Sequence, residues 1–155
     1  MNERYMREAI RLSIQKMRRG QGGPFGAVVV RTGRIIGRGW NQVTSANDPT
    51  AHAEVVAIRA ACQRLRTFQL DDCDLYTSCE PCPMWLSAIY WARLRNVFYG
   101  NTRQDAARIN FDDDFIYREV GQPIHKRKLK MRQLLRKEAF AAFAEWEQKA
   151  DKILY

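Results

Sequence analysis

With 155 residues, of which 46% are apolar, the chain suits one compact domain with one sizeable core. No apolar run is long enough to span a membrane, and the charged start MNERYMREAIRLSIQKM lacks a signal-peptide profile, so a cytoplasmic protein is expected. The formal net charge of +9 raises the prior for a nucleic-acid partner without settling it.

Residues 2–19 carry Met6, Ile10, Ile14 and Met17 at three- and four-residue spacing, which predicts an amphipathic helix with those residues inward. GQGGP ends it. FGAVVVRT then reads as a buried strand, and Gly33 turns the chain into a second strand, RIIGRGW, to close a hairpin. NQVTSANDPT (41–50) is polar and reads as a loop, with Asp48 and Pro49 suited to a helix entry. A helix follows from 51 to about 65, with Ala51, Val55, Ile58, Cys62 and Leu65 on its apolar stripe. DCDLYTS (72–78) is a strand, 82–94 a helix and NVFYG a further strand. This alternation predicts a layered α/β domain with parallel pairing among the later strands.

The last third is less regular. Residues 101–127 read as short helices and loops, KLKMRQL as an edge strand, and about 136–149 as a final helix with Phe140, Phe143 and Trp146 near one face. The four cysteines, Cys62, Cys73, Cys79 and Cys82, read in a reducing compartment as core residues or metal ligands rather than disulfides.

Two short motifs carry chemistry. One is His-Ala-Glu, His52 to Glu54, at the start of its helix; the other is Pro81–Cys82, opening the next. Each follows a polar turn and sits at a helix N-terminus, where partial positive charge favours a thiolate or a metal-bound hydroxide. In an α/β layer both helices begin beyond the same sheet edge, so the two ends can converge. A catalytic zinc needs three protein ligands and an open position for water, with a nearby carboxylate to move protons. Nucleobase deaminases meet that need with H-x-E and P-C-x-x-C. Here His52 and Glu54 fill the first half and Cys82 opens the second.

These residues, with GGPFGAVVV, NDPTAHAEVVAIRAAC, LDDCDLYTSCEPCPM, AIYWAR, FDDDFIY and the terminal tyrosine, resemble the cytidine-deaminase superfamily, and within it the small bacterial guanine deaminases, nearly end to end. The resemblance implies a three-layer α/β/α fold with a mixed five-stranded sheet. It also implies zinc-dependent hydrolysis of guanine, a small purine substrate, to xanthine and ammonia. Carried over by position, it makes His52 and Cys82 zinc ligands and Glu54 the proton shuttle. Asn41 would bond the purine, Phe25 and Trp91 would line the base pocket, and Asp113 would recognise guanine. A carboxylate at 113 can accept from both N1–H and the exocyclic amine, a donor pair adenine lacks. The resemblance further implies one domain over 1–155 and a homodimer in which the segment from about 136 to 155 is swapped, so that Tyr155 covers a neighbour's site.

One position departs from the pattern. The second cysteine of P-C-x-x-C is replaced by Trp85, whose indole nitrogen only donates. Three outcomes are open: Cys79 replaces the ligand, Glu54 or water completes a weak site, or the metal is absent and the domain is a silent purine-binding relative. A tRNA deaminase is a further alternative, motivated by the basic cluster from Lys126 to Lys137. Against it, alternating charges on an edge strand also deter aggregation, and that segment has no interleaved aromatics for base stacking.

Overall fold

The computed structural model describes residues 2–155. The chain divides into two compact units, Met1–Asp113 and Asp114–Tyr155.

In the first unit, α1 (Glu3–Arg18) leads into the hairpin β1 (Gly26–Arg31) and β2 (Arg34–Trp40). Thr32 and Gly33 both take positive φ at the hairpin turn, +46° and +75°, which glycine permits at the second position without strain. After a one-turn helix α2 (Val43–Ala46), inside the stretch expected to be loop, come α3 (Ala53–Leu65), β3 (Cys73–Cys79), α4 (Pro83–Trp91), β4 (Asn96–Asn101) and α5 (Arg103–Ala107). The sheet order is β2-β1-β3-β4, with β1 antiparallel to both neighbours and β3 parallel to β4.

β1 is buried on both faces, as its continuous apolar run requires. Val28 and Val30 pack with Tyr5, Leu12 and Tyr76 on the α1 side. Ala27 and Val29 pack with Ala53, Ala57, Leu75 and Ile89 on the side of α3 and α4. The result is the expected three-layer α/β/α arrangement. The sheet has four strands rather than the five expected.

Close backbone approach decides which helix faces turn inward. A Cβ on Gly26 would lie 2.3 Å from the Ala9 carbonyl oxygen, and one on Gly39 would lie 1.9 Å from that of Ala53. The buried side of α1 is therefore Tyr5, Ala9, Leu12 and Ser13, while Ile10, Ile14 and Met17 are exposed, contrary to the periodicity. On α3 the small residues Ala53, Ala57 and Ala61 face the sheet, with Ile58 beside them.

The second unit holds α6 (Asp114–Val120), a 3₁₀ turn (Ile124–Lys126) and α7 (Arg136–Gln148). KLKMRQL forms no strand. Alternation marks the two faces of a strand, but a strand also needs a ladder partner. The backbone N–H of Lys128 instead donates to the Glu119 carboxylate at 2.7 Å. Among the described residues no helix is long and apolar enough to cross a membrane.

Candidate active site

Because β1 runs against its neighbours, its first residues lie beside the last residues of β2 and β3: Gly26 pairs with Trp40, and Ala27 with Thr77. Parallel pairing brings the end of β4 to the same edge, where Cys79 pairs with Asn101. Phe25, Asn41 and the starts of α3 and α4 thus gather at one end of the sheet. They wall a cavity of about 360 Å³, a size suited to a small ligand. Phe25, Asn41, His52, Glu54, Cys82 and Asp113 all line it.

His52 and Cys82 are the N-cap residues of α3 and α4, one position before the helices proper, and neither side chain makes a capping bond. Glu54, in the first turn of α3, is 4% exposed. Its carboxylate accepts from the Thr77 hydroxyl at 2.5 Å. Burial pushes Glu54 up to about 8, against the lowering effect of that bond. Burial also lowers His52 and raises Cys82 to about 11, although the amide N–H groups of Trp85 and Met84 favour the thiolate.

The polar end of the cavity is differently built. The Asn41 side-chain oxygen accepts from the backbone N–H of Gly23 at 3.2 Å and of Val43 at 3.3 Å. Both bonds fall on the oxygen of the amide, and neither uses its N–H groups. Gly22, at φ +142°, lets this loop close: a Cβ there would lie 1.8 Å from the Asn41 carbonyl oxygen. Asp113 is partly buried, which raises its carboxyl. Phe25 meets Phe111 edge to face, with ring centroids 4.9 Å apart.

Phe111 also lines the cavity, and the sequence reading did not single it out. Its signal was its place immediately before the acid run that holds Asp113. Trp91, expected against the base, instead ends α4 with 65% of its surface exposed and is not among the cavity walls. Tyr155 belongs to the second unit and is 71% exposed.

Residues 1–101 match the family model of the cytidine and deoxycytidylate deaminase zinc-binding region. The chain belongs to the cytidine and deoxycytidylate deaminase family. Within that family it is 51% identical to the guanine deaminase of Bacillus subtilis over 99% of both chains. The solved structure of that enzyme superposes with a TM-score of 0.97, covering 100% of this chain and 99% of the other. The guanine deaminase of Nitrosomonas europaea superposes at 0.69 with 31% identity, covering 73% of this chain and 65% of that one. A tRNA-specific adenosine deaminase of Agrobacterium fabrum is 48% identical over 77 residues, 50% of this chain and 51% of that protein.

The family is a zinc-binding one, so the donor set can be tested against zinc. Trp85 is buried at 3% exposure, and its indole N–H donates to Nδ1 of His52 at 2.7 Å. That bond uses the nitrogen lone pair a metal would need. The Cys79 thiol, the candidate replacement, donates to the Thr102 carbonyl at 3.7 Å. Among the described residues no three His, Cys, Asp or Glu side chains are grouped to hold a metal. Three protein ligands are the minimum of a catalytic zinc site, and the residues as folded do not fit one.

Proposed function

We propose that this chain is a guanine deaminase with an impaired metal site. Its pocket recognises guanine, and the reaction for which it is built is hydrolytic removal of the exocyclic amine, giving xanthine and ammonia. The observation that carries this reading is one cavity lined by Phe25, Asn41, Glu54 and Asp113, in a chain with full-length similarity to guanine deaminases. Phe25 and Phe111 offer the ring an aromatic wall. Asn41 donates to an acceptor on the purine. Asp113, as a carboxylate, accepts from N1–H and the exocyclic amine. Glu54, held by Thr77, is the proton shuttle: as the carboxylate it takes a proton from the attacking water, and as the acid it returns that proton to the ring nitrogen and the leaving amine.

The Trp85–His52 hydrogen bond favours a second reading, in which the chain binds the purine without turning it over. Ammonia release from guanine by the wild-type protein, measured beside equilibrium dialysis with guanine and adenine, separates the two. Guanine preference with xanthine formation supports the enzyme; guanine preference without ammonia supports the silent binder. Equal binding of adenine and guanine sinks both.

The remaining features of this reading are a cytoplasmic location and a homodimer in which the segment from about 136 to 155 is exchanged. Exposed Phe140, Phe143, Leu154 and Tyr155 support the exchange, because apolar residues concentrated in one segment are suited to a partner surface. Light scattering on the full chain and on a chain ending at residue 135 tests it: a dimer that becomes monomeric on truncation is the expected result.

A further inference from the structure

Trp85 does more than omit a ligand. It sits in the first turn of α4, its backbone N–H donating to the Cys82 carbonyl at 3.1 Å, so the indole is fixed one helical turn from the would-be ligand. The indole and imidazole centroids are 4.7 Å apart, tilted by 49°. An indole nitrogen can only donate, so Nδ1 of His52 must be the acceptor and the imidazole proton must sit on Nε2. A neutral imidazole in that form has no second lone pair to give a metal. The substitution therefore costs the site two donors: the absent thiolate and the imidazole that the indole engages. Cys82 is left as the family ligand whose side chain the indole N–H does not engage.

We infer that Trp85 replaces the metal centre with a hydrogen-bonded indole–imidazole pair, so that the folded chain holds no zinc at His52 and Cys82. Its family membership supplies the expectation of zinc, and the inference rests on that reading. His52 and Trp85 both line the cavity. Replacing the indole by a thiol undoes both losses at once, because it frees Nδ1 and restores the third ligand.

The test uses the full-length protein, incubated with zinc sulfate and desalted before elemental analysis. Zinc at this site is counted as the difference between each protein and its Cys82→Ser counterpart. The expected result is little or none for wild type and about one zinc per chain for Trp85→Cys, the occupancy of a single catalytic centre. In a competition titration the Trp85→Cys protein should bind zinc more tightly by more than about 100-fold, since losing a direct ligand exceeds the loss of an outer partner. A Trp85→Phe protein, which frees Nδ1 without adding a ligand, should stay as empty as wild type.

If Trp85→Cys fails to fold, nitrogen-resolved NMR of the wild-type histidines reads the same claim directly. His52 should show a protonated Nε2 and a bare, hydrogen-bonded Nδ1, both unchanged by added zinc. Stoichiometric wild-type zinc that Cys82→Ser removes would overturn the inference, as would zinc-induced shifts at His52. Guanine dialysis on the same preparations keeps the two readings apart: loss of guanine binding would strike the substrate assignment and leave the zinc count standing.

Discussion

The starts of α3 and α4 face one cavity and have diverged in opposite ways. At α3 the acid is intact, with Ala53 lying against Gly39 and Glu54 buried and held by Thr77, although its N-cap His52 is engaged by the indole. At α4 the entry is retained, with Cys82 as N-cap and Pro83 at the first helical position, but the next turn carries an indole. That indole reaches back to the other helix and takes the His52 lone pair. The indole on one helix end thus engages a donor on the other, while Phe25, Asn41 and Asp113, proposed to face the purine, also line the cavity. The residues proposed to face the purine and the His52–Trp85 pair are therefore separate sets within one cavity.

That separation can be broken deliberately. The largest effect is expected at the intact end. In the Trp85→Cys background, Glu54→Gln should lower ammonia release by about 10²–10⁴-fold, the range of general acid–base catalysis, while guanine affinity by dialysis stays close to its starting value. If both fall together, Glu54 is a binding group and the division between the two ends is wrong. Asp113→Asn comes next. Losing a charged acceptor should weaken guanine binding by about 10–100-fold and bring adenine level with it, without altering zinc content.

The fold that positions α3 can be strained independently. Gly39→Ala drives a methyl into the Ala53 carbonyl, and overpacking of this kind should destabilise by about 1–3 kcal/mol in urea melts. The smallest effect lies away from both helix ends. The Arg11 guanidinium, with help from Arg38, holds Glu8 below its ordinary value of 4.5. A depressed carboxyl stabilises the fold above that value and loses its contribution as pH falls through the lower folded value. Glu8→Gln should therefore cost at most about 1 kcal/mol near neutrality, because its arginine partners are half exposed and screened, and the gap should close below pH 4.5.

The hairpin, β3, β4 and the main helices were legible because alternation, Gly33 and the helix entries are local signals. The inward face of α1 was not. Ile10, Ile14 and Met17 are exposed, and Tyr5, Ala9, Leu12 and Ser13 are buried because Gly26 lets the strand backbone approach the helix at Ala9 and Ser13. That approach is visible only once the helix and strand are paired in space. KLKMRQL failed for the complementary reason: periodicity states a preference for two faces and says nothing about a partner strand.

At the site, the H-x-E and P-C motifs pointed to His52, Glu54 and Cys82, which do line one cavity, and the resemblance to deaminases marked Trp85 as standing where a cysteine is expected. The bond from that indole to Nδ1 could not, since it depends on two side chains 33 positions apart. Phe111 was hidden for a similar reason. Its contact with Phe25 joins the acid run to the start of β1, and no local pattern links the two.

A guanine-directed pocket beside a metal site closed by one indole should leave a kinetic signature. Ammonia release from guanine by wild type and Trp85→Cys, each saturated with zinc sulfate and assayed side by side, addresses it most directly. Trp85→Cys is expected to exceed wild type by at least about 100-fold. Equal or faster turnover by the wild-type protein would contradict it.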